Sequence, residues 1–258
     1  MTQQLIIRIS NDSLTFAKDL GGEQGVSFEP YEVKGGISMA ANLREAFRTS
    51  PLLRQGDEKV MVIVDAPSLI VPLEDFQKDE MEVQYKYVFP ATEGESVEAC
   101  VLPSFRNAAV FSISKDLKNV LADHFREVKL KPIMATVWEY LLKRSYAGNN
   151  KKLYAYFHDG KMDLCSFARN RFAFVNTYEV DNSHDALYFI LGAWKQIGAT
   201  AMVDDLFLAG RVPEKETLMN DAKQFLARVF HISPSVEFSN TNLTQNIAMP
   251  LDLMLEFV

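Results

Sequence analysis

The chain has 258 residues, of which 27 are basic and 34 acidic, so its formal charge is −7; 48% of the residues are hydrophobic. This length suits one large or two smaller globular domains. The acidic balance disfavours nucleic acid and anionic membranes as partners, because both attract clustered lysine and arginine. We find neither a signal peptide nor an apolar run of the ~18 residues that a transmembrane segment needs, and expect a cytoplasmic protein.

The first part of the chain alternates strand patterns with amphipathic helices. Three apolar runs separated by turn residues predict an antiparallel meander, and a helix and a strand buried on both faces follow it. The predicted strands are 5–10, 14–18, 26–33, 59–64, 97–103, 107–112 and 128–134, and the predicted helices are 37–47, 73–89, 115–125 and one around Trp138. The order up to residue 64 is therefore βββαβ.

The same order restarts after the Gly/Asn stretch 147–150, whose composition suits a domain junction. The predicted strands are 152–158, 162–168, 171–178, 206–208 and 236–238, and the predicted helices are 183–196 and 214–230. We expect one lobe over 1–148, with a helix and hairpin insertion at about 73–113, and a second lobe over 149–258. The C-terminal tail is apolar, and we expect it to pack in a groove on the chain's own fold, with docking on a partner as the alternative.

This duplicated order resembles the actin-like ATPase fold, an α/β architecture of two ribonuclease-H-like lobes, each a mixed sheet with the order βββαβαβα. The chain as a whole is similar to a family of uncharacterised bacterial proteins thought to share that fold. In active members, the resemblance implies, ATP with Mg²⁺ is held by Asp-x-Gly turns between the first two strands of each lobe. The glycine lets backbone N–H groups approach the phosphates.

The resemblance places four candidate cofactor-binding residues at a nucleotide. Asp12 lies in the first turn, which contains no glycine, and only 12 residues of the whole chain are glycine. In the second lobe Tyr156 and His158 fall near the expected Asp and Gly positions, while an alternative register uses Asp159. Ala209 and Gly210 resemble the Gly-Gly that abuts adenosine in the family, or form an ordinary strand-to-helix connection.

Other chemistries lack their characteristic residues. P-loop, dinucleotide-binding, zincin and nucleophile-elbow motifs are absent, and the histidines and cysteines are too scattered to indicate a metal site. Residues 183–185 favour helix capping over a hydrolase triad, with Asn182 or Ser183 as the N-cap. Asp204-Asp205 is typical of a solvated turn, with cation binding as the alternative. A nuclease of ribonuclease-H type would need three or four clustered carboxylates, and the acids of this sequence are scattered. The acidic run 74–82 is a solvated helix face or a docking surface for a basic partner.

The sequence therefore supports two interpretations. The first is a non-catalytic interaction or scaffold module with a protein partner, no catalytic residues and no cofactor, because the element order is retained while the loop glycines are missing. The alternative is an ATP-dependent ATPase or phosphotransferase that uses Asp12, Asp159 and the Ala209-Gly210 strand around ATP between the lobes.

Overall fold

A computed structural model describes residues 4–21, 25–55, 59–90, 94–239, 243 and 248–258. The chain divides into two compact units: unit 1 is Met1–Val137 with Asp252–Val258, and unit 2 is Trp138–Leu251. The division thus falls 11 residues before the expected junction at 148. Residues 252–258, which we expected in the second lobe, belong to unit 1.

Unit 1 contains a five-stranded mixed sheet and a three-stranded antiparallel sheet. Its elements are β1 (Leu5–Ile9), β2 (Leu14–Asp19), β3 (Val26–Tyr31), α1 (Met39–Thr49), β4 (Lys59–Val64), β5 (Ser68–Pro72), α2 (Met81–Val88), β6 (Glu95–Leu102), β7 (Asn107–Ser114), α3 (Lys115–His124), β8 (Glu127–Pro132) and the start of α4 (Ile133–Ser145). The large sheet has the order β3-β2-β1-β4-β8, and the small one β5-β7-β6. Strands β4 and β8 run parallel to β1, and the meander is antiparallel.

Unit 2 repeats the large sheet of unit 1. Its remaining elements are β9 (Lys152–His158), β10 (Lys161–Ala168), β11 (Arg171–Glu179), α5 (Ser183–Gln196), β12 (Asp205–Gly210), α6 (Lys215–Phe225), β13 (Val229–Ile232), α7 (Pro234–Glu237) and α8 (Leu251–Met254), which ends in unit 1. The strand order is β11-β10-β9-β12-β13, again a meander followed by two parallel strands. The predicted duplication is confirmed.

The element predictions were wrong in three places. Strand β5 was not predicted and α2 begins only at Met81, because the apolar residues between Pro67 and Pro72 pair with β7 instead of ending in a turn. Residues 229–232 form β13, whereas the sequence predicted a helix over 214–230. The sequence predicted a strand over 236–238, but residues 234–237 form a short helix, whose first turn accommodates Pro234 because that position needs no donor N–H.

The two faces of the unit 1 sheet follow from the alternation of side chains along β1. Leu5, Ile7 and Ile9 join the apolar core that α1 and α3 complete. Arg8 points to the opposite face, where it is 2% exposed and donates from Nε and Nη2 to the two carboxylate oxygens of Asp252, at 2.8 and 2.9 Å. Asp252 has no exposed surface, so the pair is fully buried.

A second ion pair holds the C-terminal residues to the same sheet. Lys131 Nζ on β8 lies 2.7 Å from Glu256 Oε2, and the Thr136 hydroxyl donates to Glu256 at 2.6 Å. Leu253 and Leu255 are buried between these charged contacts. The prediction that the apolar tail packs on the chain's own fold is confirmed.

Within the described residues, no helix is both long enough and apolar enough to cross a bilayer. Neither Cys100 nor Cys165 forms a disulfide. Cys165 is buried, and burial raises the pKa of its thiol well above the ordinary value.

Asp252→Ala should lower the free energy of unfolding by about 3–5 kcal/mol, because it leaves the Arg8 guanidinium buried without a carboxylate. Urea unfolding followed by circular dichroism measures this. The matched control is Glu82→Ala, which removes the exposed pair with Lys86 inside α2 and should change the free energy little. The double variant Arg8→Met with Asp252→Leu should recover most of the loss. Equal effects of Asp252→Ala and Glu82→Ala would contradict the assignment.

Candidate functional site

The turn between β1 and β2 is closed by its own hydrogen bonds. Asp12 is exposed there, and the hydroxyls of Ser10 and Ser13 lie 2.7 Å apart. The Ser10 N–H donates to the Ser13 carbonyl at 2.9 Å, and the Ser13 N–H donates to Ser10 Oγ at 3.2 Å. None of residues 10–13 has a positive φ. Two backbone amides that a phosphate turn could offer are therefore engaged inside the turn.

Arg8 extends this network beneath the turn. Its Nη1 donates to Ser13 Oγ at 3.2 Å while its Nε and Nη2 donate to Asp252. The guanidinium thus bonds both the turn and the C-terminal segment of unit 1. Its charge is balanced by a carboxylate of the same unit.

The corresponding turn of unit 2 joins β9 to β10 through two residues. Asp159 and Gly160 have φ values of +44° and +72°, and His158 pairs with Lys161 across the turn. Positive φ at both positions is typical of a type I′ hairpin turn. Asp159 therefore occupies a hairpin corner, beside the last residue of β9.

A buried polar cluster lies next to that corner. His158 is 5% exposed, and its Nε2 lies 2.6 Å from Asp163 Oδ2 while its Nδ1 lies 3.0 Å from Asp159 Oδ2. The Thr177 hydroxyl donates to the other oxygen of Asp163. Each ring nitrogen of His158 therefore faces a carboxylate oxygen. The Tyr156 ring stacks on His158 at a centroid distance of 5.2 Å.

Gly210 ends β12 at a position that no other residue fits. Its φ is +80°, and a Cβ built there would lie 2.2 Å from the Phe157 carbonyl oxygen and 2.8 Å from Cε2 of Tyr156. The neighbouring Ala209 is 2% exposed and pairs with Tyr156. Contact with β9 inside the sheet accounts for this glycine.

Three of the four residues predicted to bind a nucleotide lie at the same end of the unit 2 sheet. Asp159, Ala209 and Gly210 are at the carboxyl ends of the parallel strands β9 and β12, where open α/β sheets commonly bind ligands. Asp12 belongs to unit 1. A nucleotide-binding role for these four residues remains a prediction.

Two further sequence interpretations are settled by hydrogen bonds. The Asn182 side chain accepts from the N–H groups of His184 and Asp185, so the predicted helix cap is confirmed. The prediction that Asp204 and Asp205 form a solvated turn was wrong, because both are buried. Asp204 accepts backbone N–H groups of residues 151 and 200, and Asp205 pairs with the Arg228 side chain.

Sequence reasoning missed the His158–Asp163 pair. An acid inside the apolar strand pattern 162–168 was the signal that could have indicated it. A buried carboxylate needs a donor, and the pairing of β9 with β10 supplies one from His158.

Two sheets of the same strand order, each with helices between its parallel strands, define a protein of the actin-like ATPase fold. A crystal structure of a Bacteroides thetaiotaomicron protein with actin-like ATPase fold and unknown function matches with a TM-score of 0.81 at 26% identity, over 95% of each chain. The predicted fold class is confirmed. A structure of the PilM-PilN type IV pilus biogenesis complex matches with a TM-score of 0.57 at 11% identity, over 94% of this chain and 93% of that one.

Residues 1–229 match the family described as "Protein of unknown function (DUF3822)", and the chain belongs to that family. No curated protein matches the chain.

Gly210→Ala should lower the free energy of unfolding by about 2–5 kcal/mol, because the added methyl meets the Phe157 carbonyl and the backbone keeps a positive φ. Gly192→Ala is the matched control: Gly192 lies in α5 with no atom within 4 Å of a new Cβ. That substitution should raise the free energy of unfolding by up to about 1 kcal/mol. Thermal or urea unfolding of both variants tests the pair, and a harmless Gly210→Ala would refute the contact.

Proposed function

We propose that this protein is a non-catalytic interaction module built on the actin-like ATPase fold. The observation that carries the proposal is that both turns expected to receive phosphates are occupied by internal hydrogen bonds. In unit 1 the Ser10–Ser13 network engages the turn, and in unit 2 the His158 cluster lies behind the hairpin corner.

In unit 1 the charge balance argues against a triphosphate. A phosphate turn binds its ligand through free backbone amides and nearby cations. The amides of Ser10 and Ser13 donate within the turn, and Arg8 is engaged in two-point contact with Asp252. A phosphate here would have to break the buried ion pair, which stabilises the unit itself.

In unit 2 two carboxylates, Asp159 in the turn and Asp163 on β10, contact the single imidazole of His158. This arrangement leaves negative charge beside the turn, which opposes an anionic ligand. The one glycine that the resemblance retains, Gly210, is required by contact with β9, so its presence does not argue for adenosine.

A role in assembly is consistent with the use of the same fold elsewhere. PilM occurs in a complex with PilN, and that protein shares the fold with this chain. A fold that no longer needs a nucleotide can keep its two sheets as a rigid support for surface contacts.

Isothermal titration with ATP and Mg²⁺ and a phosphate-release assay test the proposal. We expect no binding with a Kd below about 1 mM, a weak affinity of about −4 kcal/mol, and no release above the blank. Asp12→Asn and Asp159→Asn should behave as the parent chain does, and so should the control Asp116→Asn, an exposed acid on α3. Micromolar binding with turnover that Asp12→Asn or Asp159→Asn abolishes, and Asp116→Asn does not, would establish the ATPase alternative.

A further inference from the structure

The polar cluster beside the hairpin corner of unit 2 holds two atoms of the kinds that bind metal ions. His158 and Asp159 are consecutive residues, and Nδ1 of the imidazole lies 3.0 Å from Oδ2 of the carboxylate. Their side chains are 4% and 11% exposed, so both atoms are largely withdrawn from water. Imidazole nitrogen and carboxylate oxygen are common ligands of divalent metals. The two atoms are close enough to bind the same ion.

The distance between these two atoms fits one coordination geometry well. Bonds from a divalent transition metal to histidine nitrogen and to carboxylate oxygen are each about 2.1 Å long. Two such bonds at a right angle place their ligand atoms about 3.0 Å apart, and at a tetrahedral angle about 3.4 Å apart. The observed 3.0 Å between His158 and Asp159 therefore suits neighbouring positions on an octahedral ion. The carboxylate has only to turn off the line of its hydrogen bond to admit the ion.

The other nitrogen of the imidazole already has the partner that a metal-binding histidine requires. Nε2 of His158 lies 2.6 Å from Asp163 Oδ2, and the Thr177 hydroxyl donates to the second oxygen of that carboxylate. A histidine that binds metal through one nitrogen almost always donates its other N–H to a carboxylate, carbonyl or water, which fixes the ring and makes the ligand more basic. The Tyr156 ring stacks on the imidazole and further restricts its orientation.

The backbone of the hairpin fixes the positions of both ligand residues. His158 ends β9 and pairs with Lys161 on β10, and the two-residue turn between them has positive φ at Asp159 and Gly160. Asp163 lies two residues further along β10, on the strand that pairs with β9. Ligand positions on paired strands are held more precisely than positions on a long loop.

The charge and the atom types of the cluster select the kind of ion. Two carboxylates, Asp159 and Asp163, contact one imidazole, and carboxylates withdrawn from water are stabilised by a nearby positive charge. Mg²⁺ and Ca²⁺ prefer ligand sets made of oxygen alone. Imidazole nitrogen instead favours first-row transition ions such as Zn²⁺, Co²⁺ and Ni²⁺.

We propose that His158 Nδ1 and the Asp159 carboxylate bind one divalent transition-metal ion of this class. Asp163 is the positioning residue, because it accepts from the other side of the imidazole, and water completes the coordination. The spacing of histidines and cysteines in the sequence does not reveal the site, because a single histidine contributes to it. The inference goes beyond the proposed interaction module and does not depend on it, since nucleotide takes no part.

Isothermal titration of ZnCl₂ and NiCl₂ into the full chain, without a histidine tag and without nucleotide, measures the site. We expect one ion per chain, and binding of Mg²⁺ at least about tenfold weaker. His158→Gln and Asp159→Asn each remove a ligand atom and should weaken binding by at least about tenfold. The matched control is His184→Gln, which removes an exposed imidazole on α5 and should leave binding unchanged.

Asp163→Asn tests the positioning role separately. It should weaken binding by about 10–100-fold, because the imidazole loses its outer carboxylate. At saturating Co²⁺ the visible absorption band of Asp163→Asn should match that of the parent chain, since the ligand atoms are the same, whereas His158→Gln should shift it. Circular dichroism of each variant without metal checks that it folds, and Asp159→Asn, at the hairpin corner, keeps the test valid if His158→Gln unfolds.

Three results would overturn the proposal. The first is a parent chain that binds none of the three ions, and the second is unchanged binding by both His158→Gln and Asp159→Asn. The third is an equal loss in His184→Gln, which would indicate adventitious binding to surface groups. Nucleotide is absent throughout, so a positive ATPase assay would overturn the proposed function without affecting these measurements.

Discussion

The buried guanidinium of Arg8, on one face of the large sheet, requires the C-terminal segment of unit 1 to pack against that face. Arg8 lies on a strand whose other side chains are apolar, and its charge cannot be buried without a carboxylate. Asp252, 244 positions along the chain, provides both acceptor oxygens. The same contact brings Leu253 and Leu255 onto the sheet and places Ser13 above the charge. Core, turn and chain terminus are thus coupled through one ion pair.

The parts of the fold that local pattern determines could be predicted from the sequence. Side-chain alternation indicated both meanders, and helical spacing indicated α1, α3 and α5. The hydrophobic pattern predicted the wrong element where contacts with residues distant in the sequence decide the conformation. Residues 229–232 continue a helical spacing, yet they pair with β12 because a parallel partner strand is available. The charged stretch before α2 forms turns, and α2 itself places Tyr85 in the core cluster of the small sheet.

The sequence indicated where the candidate site lies in the fold, but it did not indicate which contacts the site residues make. Gly210 and Asp159 do lie at the carboxyl ends of parallel strands, but the contacts that explain them involve Phe157 and His158. Those contacts depend on strand register, which sequence spacing does not report. The burial of Asp204 and Asp205 was missed for the same kind of reason, since their partners come from other elements.

The return of the chain to unit 1 has a consequence for biosynthesis. A ribosome adds about 5–20 residues per second, so Asp252 follows Arg8 after about 12–50 seconds. During that interval the sheet of unit 1 can form its strands, but the guanidinium has not yet received its carboxylate. All of unit 2 is translated before the missing segment emerges. Unit 1 therefore receives its last segment only after unit 2 has been translated.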